Sequence, residues 1–238
     1  MNDSGNRLII ALDFAEADRA IELTEELSPL GVGFKIGLEL FISCGPNLVK
    51  KLADKYRIFL DLKFHDIPNT VHHAVKSAAS LGVWMINVHA SGGREMMIAA
   101  REALEGFETR PLLIAVTVLT SLNESQLQEI GFQGTPVCNV MQLTHAALDS
   151  GLDGIVCSPL EVSAIRKAFG SKVLTVTPGV RPTGYAHYDQ SRVDSPENVI
   201  SAGGNFIVIG RPVTRAADPF KAAEKIISEI AEVAGNGK

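Results

Sequence analysis

The chain has little that would anchor it in a membrane or cross-link it. Among 238 residues there are three cysteines and one tryptophan, and no apolar run approaches the ~20 residues a membrane-spanning helix needs. Cys44, Cys138 and Cys157 are widely spaced and form no CxxC pair, so a disulfide framework is excluded and buried free thiols are expected. There is no basic excess either. The 22 Lys and Arg are outnumbered by 27 Asp and Glu, for a net charge of -5, whereas a nucleic-acid partner calls for a clustered positive surface. HExxH is missing, and the adjacent His72 and His73 would point in different directions on a helix, so no dedicated zinc site is expected. The opening MNDSGNR shows no basic segment leading into an apolar core, and a soluble cytoplasmic protein acting on small molecules is the expectation.

What the chain does have is a repeated alternation. Apolar runs suited to buried parallel strands recur at 8–13, 33–37, 58–64, 85–90, 112–119, 154–159, 174–180 and 206–211. Amphipathic stretches separate most of them. Val137, Val140, Met141, Thr144 and Leu148 follow helical spacing up to Gly151, and Asp218 with Pro219 opens a last helix carrying Phe220, Ala223, Ile226, Ile227 and Ile230 on one face. Eight strand–helix units match the size of a single closed (β/α)8 TIM barrel, an α/β fold spanning residues 1–238. The open doubly wound sheet is the runner-up, but it often carries a GxGxxG turn after its first strand, and LIIALDFAEADRA has no glycine. No linker or low-complexity segment divides the chain.

The segment IFLDLKFHDIPNT at 58–70 sets Asp61, Lys63, His65 and Asp66 directly after a buried strand. Burying such charge is costly unless it is paired or used. Strand alternation sends Asp61 and Lys63 to one side and Leu60, Leu62 and Phe64 to the other. Pro68 stops the strand, and Asn69 or Thr70 is positioned to cap the next helix. In a barrel the active site forms at the C-terminal strand ends. Asp13 ends the first strand, Lys35 lies in the second, Asp61 and Lys63 end the third, Thr120 and Ser121 follow the fifth, and Arg211 ends the eighth. Each alone reads as well as a structural ion pair; Asp13, Lys35, Asp61 and Lys63 converging from three strands on one mouth do not. His65 and His89 read as packing or hydrogen-bonding residues. The polar segment RPTGYAHYDQSRVDSP at 181–196 reads as a lid. Gly210 and Arg211 suit a phosphate, with Arg181 and Gln190 of the lid able to reach the same anion.

These motifs together resemble the orotidine 5'-phosphate decarboxylase family. The signature DLKFHDIPNT at 61–70 is accompanied by ALD at 11–13, FKIG at 34–37, VLTS at 118–121, PGVRP at 178–182, DQ at 189–190 and IGRPVT at 209–214. The resemblance implies conversion of orotidylate to UMP and CO2 without metal or cofactor, with Lys63 as proton donor to C6 of the pyrimidine. It implies a charged array of Lys35, Asp61, Lys63 and Asp66, with Asp66 reaching the partner's site in a homodimer. Asp13 and Lys35 would hold the ribose hydroxyls. Ile67, Thr70 and Thr120 would line the nucleotide site together with Ser121, and Arg181, Gln190, Gly210 and Arg211 would bind phosphate. Two departures bear on lid packing: YAHYDQ lacks the small residue often found before DQ, and Asn205 stands where aspartate is common. The shorter pattern DxKxxD is shared with related sugar-phosphate barrels, so a magnesium-dependent lyase or aldolase is one rival. A non-catalytic sensor of phosphate ligands is another.

Overall fold

The computed structural model describes residues 4–182 and 193–236. Eight strands alternate with helices: β1 Leu8–Ala11, α1 Ala17–Leu27, β2 Gly33–Ile36, α2 Leu38–Ala53, β3 Ile58–Phe64, α3 Pro68–Ala79, β4 Met85–His89, α4 Arg94–Glu102 and β5 Leu112–Val116. The second half continues with α5 Glu124–Glu129, α6 Pro136–Asp149, β6 Gly154–Val156, α7 Val162–Phe169, β7 Leu174–Thr177, α8 Pro196–Ser201, β8 Phe206–Ile209, α9 Arg211–Thr214 and α10 Pro219–Asn236. The strands are parallel and close in sequence order, β8 pairing back to β1. The expected α/β barrel is the fold.

Two apolar layers follow from strand alternation. Leu8, Ile10, Phe34, Ile36, Ile58 and Leu60 point outward into the core shared with the helices. Ile9, Ala11, Phe59, Met85, Ile114, Val176 and Val208 fill the barrel interior. The lone tryptophan, Trp84, closes the interior at its N-terminal end, edge-on to Phe206 with ring centroids 5.1 Å apart and capped by the Arg57 guanidinium at 4.8 Å.

The strands end sooner than the apolar runs do. β1 stops at Ala11 and β8 at Ile209, so Asp13 and Arg211 lie beyond the last paired residues rather than at strand ends, and β5 stops at Val116, with Thr120 following it as expected. Past those points the backbone turns to form the mouth, and an apolar side chain can stay buried without continuing the ladder. The helix after β3 also starts earlier than expected. Ile67 occupies the cap position and Pro68 the first turn, which leaves Asn69 and Thr70 inside the helix. Proline fits the first helical position because its missing N–H would be unpaired there anyway. The Asp218 cap is present, its carboxylate accepting from the Lys221 N–H at 3.0 Å. Of the cysteines only Cys157 is buried; Cys44 is partly covered, and Cys138 is exposed in the first turn of α6, where helical periodicity turns it to solvent.

Among the described residues, Asn205 bonds to Thr175 and Arg166. It immediately precedes β8, at the end of the barrel opposite the mouth, where its Oδ1 accepts from the Thr175 N–H at 3.0 Å and from Arg166. A second polar brace at that end joins β5 to β6: both terminal nitrogens of Arg110 donate to Asp153 at 2.7 Å, and the Leu113 N–H donates to the same carboxylate at 2.8 Å. Burial alone would raise the pKa of Asp153, but the Arg110 and Leu113 hydrogen bonds outweigh it and hold the group below its ordinary value. A depressed carboxylate contributes stability above its unfolded pKa and loses it as pH falls through the folded one. Asp153→Asn is therefore expected to cost about 2 kcal/mol in urea denaturation at pH 7. The gap to wild type should start to narrow as pH falls below about 4 and close only below the depressed folded value, where folded wild type also loses the charge.

Candidate active site

Strand parity decides which polar groups enter the barrel. Ile9 and Ala11 face inward, and Ala11 pairs with Lys35, which pairs with Phe59. Lys35 and, two residues beyond Phe59, Asp61 thus stand above an apolar floor that includes Phe59 and Met85. Their side chains are 11% and 10% exposed. The Lys35 ammonium lies 2.9 Å from Asp13 and 3.4 Å from Asp61, and the Lys63 ammonium lies 2.7 Å from the other oxygen of Asp61. Cation, anion and cation are thus lined up across the second and third strands. Gly37 lets the row form, because a Cβ there would come within 3.1 Å of the Lys35 amine.

For the two buried members, Lys35 and Asp61, burial favours the neutral form and pairing overrides it. For Lys35, desolvation acts downward, but the charges of Asp61 and Asp13 leave its pKa raised. For Asp61, desolvation acts upward, while Lys35, Lys63 and the Asn87 hydrogen bond leave it lowered. Both are charged at neutral pH. His89 is different: burial, then the charges of His65 and Lys63, depress it, so it is neutral there. Its ring stacks on His65 with centroids 5.4 Å apart.

Simple alternation does not bring Lys63 to Asp61. Between Leu60 and Phe64, β3 takes four residues to match two of β4, and Lys63 sits in the left-handed region at φ 52°. The two side chains meet as expected, but across a bulge that re-aims the lysine.

The row forms one wall of a cavity of about 390 Å³ at the C-terminal mouth, within the range of small-molecule sites. Arg181 and Arg211 also line it, with Gly210. The rest of the lining includes the apolar Val118, Leu119, Val156 and Val208, and Thr120. The structure therefore brings together Asp13, Lys35, Asp61, Lys63, Thr120, Arg181, Gly210 and Arg211. Asp66, Ile67 and Thr70 do not line the cavity and are exposed beside the start of α3; Asp66 accepts a hydrogen bond from the Ile67 N–H at 2.7 Å. Ser121 is exposed and outside the lining. Gln190 lies outside the described residues. The chain on either side of residues 183–192 is joined by a bridge of Val180 to Asp194, with the Arg181 N–H donating to Asp194 O at 2.9 Å.

Two nearby residues do not stand out in the sequence. Arg215 lines the same cavity, one helical turn after Arg211. Asn87 is fully buried behind Asp61. A signal for it exists, since an asparagine inside the apolar run MINV requires a buried partner. Among the described residues, no three His, Cys, Asp or Glu side chains are grouped to hold a metal ion, and no helix is long and apolar enough to cross a membrane.

Residues 6–226 match the model of the orotidine 5'-phosphate decarboxylase / HUMPS family. The chain belongs to this family. A relative from Saccharophagus degradans, named orotidine 5'-phosphate decarboxylase, is 50% identical over 232 residues, covering 97% of this chain and 98% of its own. One of the same name from Nitrosococcus oceani is 51% identical over 229 residues, covering 96% and 99%. Among solved structures, the orotidine 5'-phosphate decarboxylase of Lactobacillus acidophilus superposes with a TM-score of 0.84 at 38% identity, over 94% of this chain and 99% of its own.

Removing Asp61 from between two ammoniums leaves a cationic pair with only Asp13 to compensate. Asp61→Ala is expected to lower the unfolding free energy by about 3 kcal/mol in urea at pH 7. An unshifted midpoint would mean the two lysines tolerate each other without it.

Proposed function

We propose that the protein is a metal-free, cofactor-free decarboxylase that converts orotidine 5'-phosphate to UMP and CO2. The observation that carries this reading is the Lys63 ammonium, held 2.7 Å from Asp61 in a cavity that Arg181 and Arg211 also line. A phosphorylated nucleoside calls for both, a cation for its phosphate and an ammonium at its reacting ring carbon.

Loss of CO2 from C6 leaves the bonding electron pair in an sp2 orbital that the ring cannot delocalise. Stabilisation must come from a fixed positive charge. Lys63 supplies it: its N–H points at C6 as the C–C bond breaks, the proton moves to C6, and the neutral amine regains a proton from water. Asp61 keeps Lys63 charged and oriented beforehand. Asp61 also lies near the departing carboxylate. Two like charges ~4 Å apart at an effective dielectric of ~20 repel by roughly 4 kcal/mol, about three decades of rate if relieved in the transition state. We assign the larger share to Lys63, whose charge acts on the transition state directly.

Asp13 and Lys35 would hold the ribose hydroxyls, and Thr120 the nucleotide. Gly210, Arg211 and Arg181 would bind phosphate, joined by Gln190 from the lid, so that binding energy remote from C6 orients the ring. Asp66, Ile67 and Thr70 would complete the site of a second copy in a homodimer. In support, Ile67 is 66% exposed, and Leu38 and Ile42 on α2 are exposed apolar residues following the neighbouring strand β2. The chain would act as a single catalytic domain in the cytoplasm.

Ultraviolet absorbance is expected to record orotidylate loss by wild type, undiminished by EDTA. Dependence on a divalent metal with a ketose phosphate as substrate would favour the aldolase-type rival instead. Lys63→Ala should lose roughly 1000-fold in kcat. In Arg211→Ala, kcat/KM should fall by about 100-fold with the unfolding midpoint retained; unchanged kinetics would refute the phosphate assignment.

A further inference from the structure

Lys63 is the one non-glycine residue at positive φ among the described residues. For a lysine that conformation is sterically unfavourable by about 1 kcal/mol or more, so surrounding contacts must hold it. A buried asparagine provides them. The Lys63 backbone N–H donates to Asn87 Oδ1 at 2.8 Å, and Asn87 Nδ2 donates to Asp61 Oδ1 at 2.6 Å. That same oxygen accepts from the Lys63 amine. One buried amide thus closes a ring through the backbone of Lys63, its side-chain nitrogen and the carboxylate that orients it.

We propose that Asn87 is a positioning residue for the reaction, clamping Lys63 in its left-handed bulge and directing Asp61 at its amine. Asn87 does not line the cavity, so it acts through Lys63 and Asp61 rather than on the substrate. An amide meets both demands at neutral pH. The backbone N–H needs an acceptor, the ionised Asp61 needs a donor, and asparagine presents one of each. A carboxylate in its place would face Asp61 with no proton to give. The remaining neighbours set the charge environment: Lys63 and Asp61 from β3, Lys35 from β2, and His89 two residues along β4 with His65 stacked on it. From β5, Ile114 and Val116 are apolar.

The inference rests on the decarboxylase reading for its kinetic measurements alone. Asn87→Ala is expected to lower kcat on orotidylate about 100-fold while KM stays within about threefold, and its crystal structure should show Lys63 out of the left-handed region with its amine withdrawn from Asp61. Asn87→Asp should regain activity toward acid pH, where a protonated carboxyl can both accept from Lys63 and donate to Asp61, and lose it as pH rises. Wild-type kcat in Asn87→Ala would overturn the proposal, as would an Asn87→Asp pH profile superimposable on wild type. So would a structure of Asn87→Ala with Lys63 unmoved, or one of Asn87→Asp at alkaline pH with both Asp61 and Lys63 unmoved. If Asn87→Ala does not fold, Asn87→Asp carries both tests. A wild-type protein inert toward orotidylate would sink the functional reading instead, and the variant structures would still decide the role of Asn87.

Discussion

A buried carboxylate flanked by two ammoniums is the constraint on which the mouth of this barrel is built. Asp61 is 7% exposed and touches Lys35, Lys63 and Asn87. Lys35 would not remain charged in so dry a place by itself, and Asp61 would not remain ionised without its cationic partners. Lys35 and Asp61 hold each other in their charged states, and Asp61 also binds the Lys63 amine. Because each position is also tied to a strand of the closed sheet, the charges are set before any substrate arrives, and little reorganisation is left for the reaction itself.

The apolar layer beneath makes this array effective. Ile9, Phe59 and Met85 seal the interior below the charges, and Trp84 with Phe206 seals it lower still. Water has no route from below, and the local dielectric stays low, which strengthens each Coulomb contact. The far end of the barrel carries a different kind of polar network, Arg110 with Asp153 and Arg166 with Asn205, whose donors are spent on backbone and side-chain acceptors around strand starts. Charge at the bottom braces the sheet, and charge at the top faces a cavity.

Much of this is legible in the amino-acid order. The eight apolar runs, the amphipathic stretches between them and the placing of Lys35 and Asp61 on the inward side of neighbouring strands follow from periodicity and parity, which are local properties. What escapes such reading depends on neighbours distant along the chain. Asn87 is one residue in a buried strand until Asp61 and Lys63, more than twenty positions earlier, are placed beside it. Asn205 bonds to Arg166 and Thr175 at the end opposite the mouth, and being next to the last strand in sequence does not say at which end of the barrel a residue lies. Strand ends are overestimated for a related reason: Leu12 and Val118 are buried beyond the last paired residue of their strands, and hydrophobicity does not mark where the ladder stops.

The barrel and the kinds of charge at its mouth are properties of the chain itself, since strand and helix periods are written in the spacing of apolar residues and charges interrupt that spacing visibly. How those charges meet is settled only once the sheet closes. The bulge in β3, the left-handed backbone of Lys63 and the buried amide that secures it arise from the mismatch between two paired strands. Such a mismatch belongs to the pair, and neither strand's own residues reveal it.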